Sequence, residues 1–196
     1  MKIIAATGNA GKIREIKKIF SDEKVEILSM GEIGIDIEIE ENGTTFEENA
    51  LIKARTISKM TGEIALADDS GLCVDAMGGA PGIYSARYAG KDATDAQRIE
   101  KLLAELLGEE NRKAKFVSVI AVVFPDGREL TAEGEVLGEI ADKVYGDGGF
   151  GYDPVFISDE LGKTFGVASA DEKNKISHRA RALDKMYQIM KENDLL

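Results

Sequence analysis

At 196 residues the chain is long enough to bury a sizeable core within one domain, and its 43% hydrophobic and 31% charged residues exclude a disordered or fibrous protein. The 25 Lys and Arg against 36 Asp and Glu give a net charge of -11, which disfavours non-specific binding to long nucleic acid or an anionic membrane. Cys73 is the single cysteine, so an intramolecular disulfide framework and a cysteine-based zinc cluster are excluded.

The chain opens on the strand-like KIIAA, without a signal-peptide pattern, and holds no apolar run of transmembrane length; a cytoplasmic protein is expected. KIIAATGNAGKIREIKKIF then reads as strand, glycine-containing loop and helix, with Ile13, Ile16, Ile19 and Phe20 at helical spacing. IDIEIE, residues 35–40, alternates isoleucine with acid, which predicts a strand with one anionic face. Thr45 and Glu48 have capping-box spacing for a helix from about Phe46 to Met60, with Phe46, Ala50, Ala54 and Ile57 as its inner stripe and Asn49 and Lys53 stacked on another face.

EIALADDSGLCVDAM predicts strand, turn and strand, followed by the glycine-rich loop GGAPGIYSARYAG. Thr94 caps a helix carrying Ile99, Leu102, Leu103, Leu106 and Leu107, and AKFVSVIAVVF and RELTAEGEV flank PDG as a hairpin. GDGGFGYDP is a second glycine-rich loop, and a last helix runs from roughly Ser177 to Lys191. Crossovers mixed with hairpins imply an α/β or α+β domain around a mixed sheet.

Four stretches could carry chemistry. TGNAGK places a helix N-terminus and Lys12 where an anion could sit, or is an ordinary helix entry; its glycine spacing and Ile13 are not those of a P-loop. Glu40 and Glu41 with Asp68 and Asp69 could form a carboxylate site suited to Mg²⁺, although acidic side chains on a strand also serve as a solvated face. GGFGYDP suits stacking on a planar base with Asp153 at the base edge, or is a tight turn with Phe150 in the core. DEKNKISHRAR gathers Lys173, Lys175, His178, Arg179 and Arg181 around a helix start, where cations oppose the helix dipole unless an anion offsets them.

Read together, TGNAGK, ENGTTFEENALIKA, ADDSGLCVDAMGGAPGIYSARYAG, GGFGYDPVF and EKNKISHR closely resemble the inosine/xanthosine triphosphate pyrophosphatase family, the Ham1-like hydrolases. The resemblance implies a single two-lobed α/β domain over residues 1–196, with an elongated mixed β-sheet, flanking helices and a central cleft, assembled as a homodimer. It implies Mg²⁺-dependent hydrolysis of dITP, ITP and XTP to the monophosphate and pyrophosphate, while the net charge argues against a nucleic-acid or membrane partner. Carried over by motif, Thr7, Gly8, Asn9 and Lys12 would hold the phosphates, with Lys53 near them. Asp69 would activate water, Ser70 would contact substrate, and Glu40, Glu41, Asp68 and Asp69 would supply the metal ligands. Phe150, Gly151, Tyr152, Asp153, Lys173, His178 and Arg179 would form the base pocket. One departure is visible: TFGVASAD precedes EKN where many relatives have another pattern after the phenylalanine. A nucleotide-binding sensor without turnover is the competing reading.

Overall fold

The short apolar runs become seven strands and the 3.6-residue patterns become five helices in a computed structural model that describes residues 1–21 and 25–196. In chain order these are β1 (Lys2–Ala5), α1 (Ala10–Ile19), β2 (Glu26–Ser29), α2 (Phe46–Thr61), β3 (Ile64–Val74), α3 (Asp95–Glu105), β4 (Lys113–Val123), β5 (Glu129–Ile140), β6 (Phe156–Ser158), β7 (Lys163–Thr164), α4 (Ala170–Ile176) and α5 (His178–Glu192). The strand order is β2-β1-β3-β4-β5-β6-β7. Strand β1 runs parallel to β2 and β3, whereas β5, β6 and β7 pair antiparallel, so the sheet is mixed as expected.

The residues group into two compact units. The first comprises Met1–Asp69, Ser118–Gly134 and Arg179–Leu196; the second comprises Ser70–Val117 and Glu135–His178. In the first, the two-residue period of the strands divides the core. Ile3, Ala5, Leu66, Ile120 and Val122 pack with Ile16 and Phe20 of the α1 segment and Leu183 and Met186 of α5. Ile4, Ala65, Ala67, Val119 and Ala121 pack instead with Ala50, Ala54 and Ile57 of α2, where small side chains on both partners bring helix and sheet close. In the second unit, Ile99 and Leu102 of α3 join Leu72, Val74, Phe116, Val136 and Ile140. Phe156 adds an aromatic centre, its ring 4.6 Å from Phe116 and 5.3 Å from Phe165.

Three expectations require correction. DDSG is not a turn: β3 runs unbroken from Ile64 to Val74, because both acids find partners without leaving the ladder. IDIEIE is not a strand: residues 35–43 form neither helix nor ladder, Ile35 and Ile39 pack beside the α2 core, and Ile37 stays 38% exposed. The last helix is α5 as expected, but the cations before it do not share its start: a separate short helix, α4, precedes it and ends at Ser177, whose ψ of 153° is extended. Lys173 and Lys175 therefore lie in the last turn of α4, where cations suit the helix dipole, and only His178, Arg179 and Arg181 stand at the start of α5.

Gly138 of β5 faces Ser158 of β6, and a Cβ there would lie 2.1 Å from the Ile157 carbonyl oxygen and 2.7 Å from the Phe156 ring. Gly138→Ala is therefore expected to lower stability by about 1–3 kcal/mol through overpacking, measured as a reduced urea midpoint with an unchanged slope.

Candidate active site

Adjacent residues on a strand point to opposite faces, and in β3 that rule separates Asp68 from Asp69. Asp68, 1% exposed, accepts from Ser118 Oγ at 2.7 Å through Oδ1 and from Arg179 Nε at 2.7 Å through Oδ2. The same Oδ2 lies 3.1 Å from Lys12 Nζ. Arg179 also donates to Glu15 of α1, so its charge at the acid-free start of α5 is matched by two carboxylates. Burial works against the Asp68 carboxylate, yet Arg179 and Lys12 outweigh it and hold the carboxyl far below the usual range. Burial likewise opposes the Arg179 guanidinium, and Asp68 and Glu15 reverse that. Lys12 is pushed down, first by burial and then by neighbouring Arg179 and Lys53, with Asp68 opposing.

On the other face, Asp69 Oδ1 accepts from Lys53 Nζ at 2.8 Å, and that ammonium also donates to Glu41 Oε1 at 2.7 Å. One cation thus serves two carboxylates. Asp69 Oδ2 is buried without a hydrogen-bond partner. Burial raises the Asp69 carboxyl and Lys53 only partly counters it. For Lys53, burial favours the neutral amine, but Asp69 and Glu41 win and keep it cationic. Glu41 is half-buried and Glu40 exposed on the same irregular segment. Asp69 and Glu41 therefore offer hard oxygen donors, which fit a small divalent cation. Among the described residues no three acidic, histidine or cysteine side chains form a finished metal cluster. Asp68 is committed to cations on the opposite face.

The loop before α1 is ordered by its own side chains. Asn9 Oδ1 accepts from Gly11 N at 2.9 Å and Lys12 N at 3.1 Å, capping the helix, while Asn9 N donates to Thr7 Oγ1 at 3.1 Å. A Cβ on Gly8 would meet nothing within 4 Å, so protein packing does not demand glycine there, and the open backbone can admit a ligand.

The second unit carries a separate network. Asp153, 2% exposed, accepts through Oδ2 from Phe150 N at 2.9 Å and Lys173 Nζ at 2.7 Å. The Lys173 ammonium also stands 4.6 Å from the Phe150 ring centroid, a cation–π arrangement. Gly149 has φ +73°, and a Cβ on it would come within 2.0 Å of Asp153 Oδ2, so glycine is required both by conformation and by space. Phe150 is half-buried. Tyr152 belongs to the core and its hydroxyl donates to the Ser85 carbonyl at 2.8 Å. His178 stacks on Phe116 with centroids 4.7 Å apart. Ser70, half-buried, follows Asp69 in β3. Of the expected base residues, Phe150, Asp153 and Lys173 come together, whereas Arg179 lies with Asp68 in the first unit.

Glu15, Ser118 and Asp95 were not singled out from the sequence. Asp95 accepts from Gly151 N at 2.7 Å and pairs with Arg98, fastening the glycine-rich loop to α3. Each occupies an ordinary helix or strand position, so no local signal marks it.

The Ham1 family model matches residues 3–189 of the chain. A Bacillus licheniformis protein named dITP/XTP pyrophosphatase is 49% identical over 96% of this chain and 97% of its own length. A Bacillus subtilis protein of the same name is 48% identical, with 95% and 96% covered. The solved Ham1 protein of Staphylococcus aureus superposes with a TM-score of 0.89 at 42% identity, over 98% of this chain and 100% of that one.

Asp68→Asn leaves Arg179 and Lys12 under-compensated and is expected to cost about 3–5 kcal/mol at neutral pH. The folded carboxyl lies below its unfolded value near 3.9, so its contribution is complete above that value and fades as pH falls toward the folded one. Urea unfolding should therefore show a gap between native protein and variant at pH 7 that begins to narrow below about pH 4.

Proposed function

We propose that this chain, which belongs to the Ham1 family, hydrolyses dITP, ITP and XTP between the α and β phosphates, releasing the nucleoside monophosphate and pyrophosphate. The observation that carries the reading is Asp69: one oxygen is fixed on Lys53 and the other is buried with nothing to accept from. Such an atom costs roughly 1–3 kcal/mol unless a ligand satisfies it. Relatives about half identical over nearly the whole chain, named dITP/XTP pyrophosphatase, support the substrate class.

In this mechanism Asp69 Oδ2 accepts a hydrogen bond from water and aims its oxygen at the α-phosphorus. A bond forms from that oxygen to phosphorus as the bond to the α–β bridging oxygen breaks. As that bond forms, the water's proton passes to the unpaired Asp69 oxygen. Lys53 holds Asp69 in place, and Lys12, at the capped start of α1, meets the phosphate chain together with the backbone at Gly8. Glu41 and Asp69, with Glu40 beside them in the chain, would hold Mg²⁺, which supplies charge neutralisation of the phosphates and a more acidic water.

The base falls to Phe150 and Lys173 with Asp153 as their anchor. Inosine and xanthosine present an acceptor oxygen at C6, which Lys173 can serve, whereas adenine presents an amino donor and leaves the ammonium unmatched. His178 and the backbone of residues 151–152 belong to the same reading. Cytoplasmic location and a homodimer complete it, supported by the family membership.

Incubation with XTP or dITP and Mg²⁺ should yield monophosphate and pyrophosphate in equal amounts, with ATP turned over far more slowly. Orthophosphate release would indicate γ-phosphate cleavage, and binding without products would favour the sensor. Asp69→Asn is expected to lower kcat by about 10²–10⁴-fold with little change in nucleotide binding measured by calorimetry.

A further inference from the structure

Residues 40–43 carry two candidate metal ligands yet belong to no helix or strand, so something else must fix them. Helix α2 holds them at two points one turn apart. Lys53 bonds the Glu41 carboxylate at 2.7 Å, and Asn49, four residues earlier on the same helix face, accepts from the Gly43 backbone N–H at 2.9 Å. Asn49 is 0% exposed. Its Oδ1 serves Gly43 while its Nδ2 is buried without a hydrogen-bond partner, a cost that an apolar side chain would avoid. The bond to Gly43 is what the amide adds there.

Gly43 is fitted to that bond. A Cβ on it would lie 2.7 Å from Asn49 Oδ1, 2.7 Å from Glu48 Cβ and 3.1 Å from Asn49 N. The constraint is close approach, not a left-handed backbone. Thr44 adds a second fastening, its N–H and Oγ1 donating to Glu48 at 2.6 and 2.8 Å, and Thr45 Oγ1 accepts from Glu48 N at 3.1 Å. Lys53 alone could not hold the segment, because its four-carbon stem lets the ammonium follow a carboxylate through many positions.

We propose that Asn49 and Gly43 are positioning residues: their bond fixes the backbone two residues after Glu41 and so sets where the Glu41 and Glu40 carboxylates stand relative to Asp69. The inference rests on the reading that these carboxylates hold a divalent cation. Its consequence is that metal affinity depends on an amide that is not itself a metal ligand.

The test is Mn²⁺ binding to the ligand-free protein, followed by electron paramagnetic resonance, alongside the Mg²⁺ concentration for half-maximal turnover. Asn49→Ala and Gly43→Ala, which break the bond from opposite sides, are each expected to weaken Mn²⁺ binding roughly 10–100-fold. The double variant should be no weaker than the worse single one, since both remove the same bond. Ser58→Ala is the control: Ser58 is buried on α2 and donates to the Glu63 carbonyl at 2.8 Å, so its loss should lower thermal stability and leave Mn²⁺ affinity unchanged. Unchanged Mn²⁺ affinity in folded Asn49→Ala or Gly43→Ala overturns the positioning role alone. An equal loss in Ser58→Ala, or failure of both site variants to fold, overturns it in favour of a purely structural role. Absence of Mn²⁺ binding by the unaltered protein overturns the metal reading as well.

Discussion

Two adjacent carboxylates buried in one strand can both stay ionised only if each is matched separately, and the pleat of β3 makes that possible by sending Asp68 and Asp69 to opposite faces. The matching is unequal. Asp68 receives Arg179, Lys12 and a serine hydroxyl, so both its oxygens are engaged and its proton affinity collapses. Asp69 shares a single ammonium with Glu41, keeps one oxygen unsatisfied, and has its proton affinity raised. The first arrangement is locked and binds α1, α5 and β4 to β3; the second is open to chemistry.

The same division of labour recurs in the second unit. Asp153 is the knot of the glycine-rich loop, accepting from a backbone N–H and an ammonium within one buried site. Its Oδ2 takes two donors and Gly149 presses against it, so this carboxylate organises Phe150 and Lys173. In both units a buried carboxylate with several donors sets the geometry of the residues around it.

Much of this could be read from periodicity and capping. The helix α2, its Thr45 cap and its Ala50, Ala54 and Ile57 stripe follow directly from local spacing, as does the hairpin of β4 and β5. What failed were readings in which a polar residue was taken as punctuation. DDSG looked like a turn because sequence shows two charges and a glycine but not the Arg179 guanidinium, 111 residues away from Asp68, that lets the strand continue. IDIEIE looked like a strand because alternation marks an extended chain with one apolar side, and an unpaired segment meets that condition as well as a ladder does. The family resemblance assigns Arg179 to the base pocket; in this structure it turns toward Asp68 while Lys173 turns toward Asp153, a direction that a cluster of charges in the sequence does not reveal.

On the proposed function, charge balance favours a metal over simply more lysine. Among the described residues around β3, Lys12, Lys53 and Arg179 pair with Glu15, Glu41, Asp68 and Asp69. Two of the cations are held by Asp68 and Glu15 or shared with Asp68, and the third is divided between Asp69 and Glu41. A polyphosphate entering such a group as a bare anion would meet these carboxylates as well as the cations and the start of α1. Neutralising it with further lysines would bind monophosphate, pyrophosphate and triphosphate alike, whereas a divalent cation that needs oxygens from both protein and phosphate chain makes the protein's carboxylates useful only when the ligand is present. On the proposed function, the unsatisfied oxygen of Asp69 is the cost of a site that its substrate would complete.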